Sequence, residues 1–368
     1  MRSFVRAGIV LLVGVAACNK DSSAPVDFAN PAAVSSNLSS VDSAFDSDVF
    51  RSFNTATFML DAAAPSALRP AGTVLATLQP KLERAGGQIY LPGLRQARRM
   101  EALAPQLSVA AQQGAIIPDS LYGRVFVWND TIDQYVFRGT TVSNLNGVRF
   151  LLYAVDLVGA VVEPVVQIGT LDIIDESTQS SLKLHVLVRN TAGTTTYVDY
   201  TAEVLANQAT ASGSITNGRA APNNKTLSFV ETLTATQTGA RLTATFALND
   251  PSITVMLNES VSIDQPNLII NADFRVIRNN QTVRTVGRII VNLTTQEVLV
   301  DIDVYLDGHP VASITGDPSL PGTLWVDAGG NPLTIEDIDA LDDLFAGLQR
   351  FDEAVSGLFS PVGTLANL

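Results

Sequence analysis

The chain has 368 residues, with 23 Lys and Arg against 36 Asp and Glu for a formal charge of −13. That acidic balance excludes a nucleic-acid partner, because such affinity comes from basic groups neutralising phosphates. A single cysteine excludes an intramolecular disulfide framework and a thiolate zinc site, and a chain this long buries enough apolar surface to fold without either.

Arg2 and Arg6 precede an apolar run from Ala7 to Ala17, the layout of a secretory signal. The run is shorter than the roughly 20 apolar residues that a membrane-spanning helix needs, so it is expected to route the chain rather than hold it. It ends in Val15-Ala16-Ala17-Cys18, and this aliphatic-small-small-Cys tetrad resembles the lipobox of bacterial lipoproteins. The resemblance covers residues 1–18 alone. It implies a signal peptide of residues 1–17, a diacylglyceryl group on the Cys18 thiol, and a membrane anchor in the cell envelope. Asn19 stands where, in those families, an Asp favours the inner membrane, so in a double-membraned host the resemblance implies the outer one.

Removing residues 1–17 takes away Arg2 and Arg6 and moves the charge from −13 to −15. Residues 18–30, with the small polar run Lys20-Asp21-Ser22-Ser23-Ala24-Pro25, read as a flexible tether.

A helical segment is expected over 31–118. Val34, Leu38, Val41, Phe45, Val49 and Phe53 recur three and four residues apart, which predicts one amphipathic helix from Pro31 to Phe53. Val74, Leu75, Leu78 and Leu82 suggest a second, and Arg95 to Ala111 a third, punctuated by Pro105.

Beyond Pro118 the period changes to two. Leu182, Leu184, Val186 and Val188 alternate with more polar neighbours, as do Leu242, Ala244, Phe246 and Leu248; Leu268, Ile270, Ala272, Phe274 and Val276; and Val298, Val300, Ile302, Val304 and Leu306. Each pattern predicts a strand with one buried face. Asn146-Gly147, Ala192-Gly193, Asn217-Gly218, Thr238-Gly239, Asn279-Asn280 and Asp307-Gly308 supply turns between the runs. The expectation is a mainly β domain over 119–368 with flanking helices (α+β), built on a large antiparallel meander of roughly ten to thirteen strands. A sheet of that size must curl, split or close, so a curved sheet or half-barrel with an apolar concave side is expected.

The domain is expected to end in a helix over about 334–358, with the stripe Ile335, Ile338, Leu341, Phe345, Leu348, Phe351, Val355 and Leu358. Thr334 is its N-cap, with Glu336 and Asp337 in the first turn.

Chemistry is sparse. His185 falls on the polar side of its strand and His309 sits between Gly308 and Pro310. Ser180 and Lys183 match a Ser-x-x-Lys spacing, but a strand turns residues three apart to opposite faces, whereas that chemistry needs them one helical turn apart. No nucleophile elbow, phosphate loop or His-Glu-x-x-His helix is present. Three acidic groups, Asp172 with Asp175 and Glu176, Asp301 with Asp303, and Asp339 with Asp342 and Asp343, read as solvent-facing carboxylates. The stretch Asp327 to Ile338 fails as a calcium loop, since Pro332 and Ile338 stand where glycine and glutamate belong.

No catalytic, cofactor or metal residue is therefore assigned, and no cofactor. The expectation is an envelope lipoprotein held to the membrane through Cys18, binding or carrying an apolar or amphipathic ligand. In outline it is similar to half-barrel lipoprotein carriers of the bacterial envelope. A structural or assembly lipoprotein engaging another envelope protein is the alternative, and a carboxylate-based hydrolase the third reading.

Overall fold

In a computed structural model, the residues described are 40–53 without 42 and 46, and 117–356 without 157–158, 206–207, 237–238, 296, 318–319 and 321–324. Cys18, the expected signal and tether, most of the helical segment 31–118 and the last twelve residues lie outside them.

Fourteen strands form one unclosed sheet. They are β1 (Arg124–Asn129), β2 (Gln134–Thr141), β3 (Gly147–Tyr153), β4 (Gln167–Asp175), β5 (Leu182–Asn190), β6 (Thr196–Leu205) and β7 (Gln208–Thr216). The second half holds β8 (Thr226–Thr236), β9 (Gly239–Leu248), β10 (Ile253–Asp264), β11 (Asn267–Arg278), β12 (Gln281–Asn292), β13 (Val298–Leu306) and β14 (His309–Gly316). From β3 to β14 each strand pairs antiparallel with the next, so a meander of twelve strands is present, and the sheet as a whole has one strand more than the upper expectation.

It departs from a simple meander at its start. There β3 skips β2 and lies parallel to β1, pairing Val125 with Arg149 and Phe126 with Phe150. Rings explain the choice: Phe126 stacks on Phe150 at 4.9 Å, Tyr135 meets the same ring edge-on at 5.4 Å, and Trp128 touches Tyr135 at 5.5 Å. The Tyr135 hydroxyl also donates to the Leu151 carbonyl at 3.0 Å, tying β2 to β3 across β1.

Local chemistry sets the turns. Asn279 and Asn280 (φ 50° and 64°) and Asp307 and Gly308 (φ 49° and 83°) hold consecutive left-handed residues, the backbone whose twist matches antiparallel neighbours two residues apart.

Alternation then sorts the faces. Leu184, Val186, Val188, Val198, Leu171 and Ile173 have no exposed surface, and the same phase continues through Phe229, Phe246, Ile270, Ile289, Val300 and Ile302 in a single apolar cluster. Tyr200 fits on this face because Gly213 is its partner on β7, where an added Cβ would lie 2.4 Å from Tyr200's own Cα and Cβ. The face is not wholly apolar. Glu231, Glu259 and Thr285 are buried on it among the small residues Ala244, Ala272 and Gly287.

Residues 40–53 and the C-terminal helix α1 (Ile335–Ser356) pack onto the cluster. The expected continuous helix from Pro31 to Phe53 is interrupted: a turn occupies 43–45 and helix restarts at 48–53. Ser47 is the cause, since its hydroxyl accepts the Phe50 amide at 3.0 Å and caps the new start. Ser52 ties this segment to the sheet by accepting the Tyr153 amide.

In α1 the Thr334 hydroxyl accepts the Asp337 amide, while the Asp337 carboxylate accepts the Thr334 hydroxyl proton at 2.7 Å, a reciprocal cap as expected. The buried stripe begins later than expected. Leu341, Leu344 and Phe345 are buried, whereas Ile335 and Ile338 are exposed.

Both sheet ends are blunted against pairing. On β2 a bulge shifts the register between Arg124 and Phe126, Gly139 takes φ 84°, and Arg138 adds an exposed charge. On β14, Ser313 exchanges backbone hydrogen bonds with Val326 at 2.8 and 2.9 Å, and Pro310 removes a donor. Charges, bulges, prolines and coverage are the recognised means of preventing edge-to-edge association.

Candidate functional site

With one face packed, the accessible chemistry lies on the other. Its alternate positions form polar rows across the strands. One row runs Arg241, Ser260, Asn271, Arg288, Asp301 and Thr315, and the next runs Thr243, Asn258, Asp273, Val286, Asp303 and Ser313. Between these rows lies a groove of about 390 Å³, floored by Val286 and by the backbone at Ala272 and Gly287. That volume falls in the range of about 300–1,000 Å³ typical of small-ligand sites.

The groove's charges divide into engaged and idle groups. Asp273 is engaged: Arg284 donates to its two carboxylate oxygens at 2.8 Å each, and Arg275 adds 3.2 and 2.7 Å contacts. Burial by itself would raise this carboxyl, but the hydrogen bonds from Arg284 and Arg275 prevail and hold it down to about 2. Arg241 donates to the Asn258 side chain at 3.2 Å.

Arg288 stands opposite Asp301 in register, yet among the described residues it makes no ion pair or hydrogen bond. Among the described residues Asp301 accepts only the Thr315 hydroxyl, at 3.2 Å, and Asp303 only the Tyr305 hydroxyl, at 3.4 Å. Partial burial, with Asp301 beside it, raises the Asp303 carboxyl above its usual value. The reading of Asp301 and Asp303 as solvent-facing is right in placing them on that face, but missed the arginines that share the groove. Cross-strand register brings them together, and sequence spacing does not report it.

For the first acidic group that reading fails. Asp172 points to the polar face but is only 1 % exposed, roofed by Arg149, which donates at 2.5 and 2.7 Å, and by Arg189 at 2.8 Å. Asp175 is buried on the opposite face, where it accepts the Ile117 amide at 2.9 Å. Of that group Glu176 alone is exposed. It meets Lys183 at 2.7 Å and lies 3.4 Å from His185 Nδ1, while His185 Nε2 lies 2.8 Å from Asp199. His185 thus has carboxylate partners that the sequence did not suggest. Asp339, Asp342 and Asp343 are exposed on α1 as expected.

The Ser180 and Lys183 spacing builds nothing. Lys183 is committed to Glu176, and the Ser180 hydroxyl lies 3.3 Å from that of Thr178 in the preceding turn. His309 opens β14, exposed beside the Asp307-Gly308 turn. Asp327 turns its carboxylate onto the backbone amides of Gly329 and Asn331, at 2.8 Å each, which closes the loop locally. Among the described residues no group of three or more His, Cys, Asp or Glu is placed to hold a metal ion, and no helix is long and apolar enough to cross a membrane. No family model, no curated protein and no solved structure matches this chain.

Proposed function

We propose that the protein is a non-catalytic, lipid-tethered binding protein of the cell envelope that engages an envelope partner through the polar face of a curved sheet. One observation carries the reading: the two faces differ in what they leave open. On the apolar side, among the described residues, Leu171, Val186, Val198, Ile270 and Val304 have 0 % exposure, so they present no surface to solvent. An acyl chain carried there would have to displace packed side chains at close to crystalline density. The polar side offers a groove with idle charges of both signs, and the blunted edges direct recognition to that face. These facts favour partner binding over carriage of an apolar ligand. The hydrolase reading is weaker, because the arginines that share the groove with Asp301 and Asp303 give those carboxylates a charge partner rather than an acid–base role.

The lipobox at Val15-Ala16-Ala17-Cys18 supports the tether, since stable anchoring of a soluble domain requires acyl chains. Two experiments test the proposal. Cys18→Ala is expected to move the protein from the membrane fraction to the soluble fraction of the envelope without changing its folded-state circular dichroism; a variant that stays membrane-bound removes the anchor from the reading. Solvent extraction and mass spectrometry of purified protein are expected to yield no stoichiometric non-covalent acyl ligand. Recovery of one would restore the carrier.

A further inference from the structure

We propose that the groove on β9 to β13 binds a short peptide through both of its free termini, the carboxylate on Arg288 and the ammonium on Asp301 and Asp303. This rests on the reading of that face as the recognition surface and adds the chemistry of what it recognises.

The argument starts from an ion pair that does not form. Arg288 and Asp301 are direct cross-strand partners, the arrangement in which opposite charges ordinarily meet, and both are exposed. On the neighbouring strand β11, Asp273 draws in both Arg275 and Arg284, so this surface can hold ion pairs where geometry allows. Arg288 and Asp301 instead both line the groove without pairing. An exposed pair of this kind is worth little, so leaving it open costs the fold almost nothing while keeping a donor and an acceptor available.

Spacing then selects the ligand. Arg288 and Asp303 are diagonal neighbours, about 7–8 Å apart at the backbone, and their side chains extend outward from there. A ligand joining them needs its charges roughly 7–11 Å apart, the span of two or three extended residues at about 3.3–3.6 Å each. Asn271 flanks Arg288 on β11, with Asn258 and Ser260 beyond it on β10, so polar groups continue the groove on the side of Arg288 away from Asp301 and Asp303.

An anionic polymer fits worse, because Asp301 and Asp303 would repel it and the chain as a whole is at −13. A longer peptide adding as a strand is excluded at this site, since β9 to β13 each have a neighbour on both sides. The groove also lacks an aromatic wall, so recognition must come from charge-assisted hydrogen bonds, the stronger kind.

Triglycine, N-acetyl-triglycine and triglycine amide separate the contributions of the two termini when each is titrated calorimetrically into the purified protein at low salt. Triglycine is expected to bind at least tenfold more tightly than either blocked peptide, and Arg288→Met and Asp303→Asn are each expected to erase that advantage without lowering the melting temperature. Equal binding of all three, tighter binding of the acetylated peptide, or an unchanged Arg288→Met variant would overturn the proposal. A photo-crosslinker placed at Asn271 distinguishes its failure from that of the broader reading. Cellular adducts formed there without triglycine binding would leave the face correct and the ligand class wrong, whereas triglycine binding without adducts would leave the groove correct and the envelope-partner reading wrong.

Discussion

The Arg275–Asp273–Arg284 cluster makes a prediction about acid stability whose sign and size follow from its geometry. The Asp273 carboxyl lies at about 2 in the folded protein against an ordinary value of 3.8. A carboxyl whose folded pKa is depressed contributes stability that is fully present above the unfolded value and is lost as pH falls through the folded one. The window is therefore between about pH 5 and pH 2. The shift of just under two pKa units corresponds to at most about 2.5 kcal/mol, at 1.36 kcal/mol per unit. Both arginine side chains are close to 40 % exposed, so screening by solvent and salt reduces this to about 1–2 kcal/mol. Urea unfolding of the parent and of Asp273→Asn at pH 7 and pH 2.5 tests it. The variant is expected to be less stable at pH 7 by that amount, with about a third of the gap left at pH 2.5, still above the folded pKa, and with the gap narrowing at 1 M salt. Parallel stability curves across the pH range would refute the reasoning, because they would show that the arginines do not select the ionised carboxylate.

Three further outcomes are expected. Phe345 is buried beside Trp325, with ring centroids 5.9 Å apart, so Phe345→Ala is expected to destabilise by about 3–5 kcal/mol in denaturant, and a change within error would mean that α1 does not pack on the sheet. Arg149→Met keeps the aliphatic stem but takes one of two arginines from the buried Asp172; as complete loss of a buried partner costs about 3–5 kcal/mol, roughly 2 kcal/mol is expected by the same assay, and a loss below about 0.5 kcal/mol would show that Arg189 alone suffices. Ester, β-lactam and peptide substrates are expected to meet no activity that depends on Ser180 or His185, and turnover that collapses in Ser180→Ala or His185→Ala would contradict the non-catalytic reading.

Much of this architecture was legible in the residues. A period of two over Leu182 to Val188 or Val298 to Leu306 can bury only one face, and the strands lie where that pattern falls. Asn279-Asn280 and Asp307-Gly308 specify turns because few other residues accept consecutive left-handed backbone. Thr334 and Asp337 mark the start of α1 because a capping pair is local, complete within four residues. Tertiary structure decided whatever depends on which strands become neighbours. Phe126 and Phe150 stack because β3 chose β1 over β2, a contest between rings that no window of sequence contains. Asp172 reads like any strand carboxylate until β3 and β5 bring Arg149 and Arg189 over it. Glu231 and Glu259 occupy inward positions by parity, and their burial depends on the layer that covers them. The groove follows the same rule. Arg288, Asp301 and Asp303 lie 13 and 15 positions apart in the chain, and only the register of β12 on β13 places opposite charges side by side and leaves them unpaired.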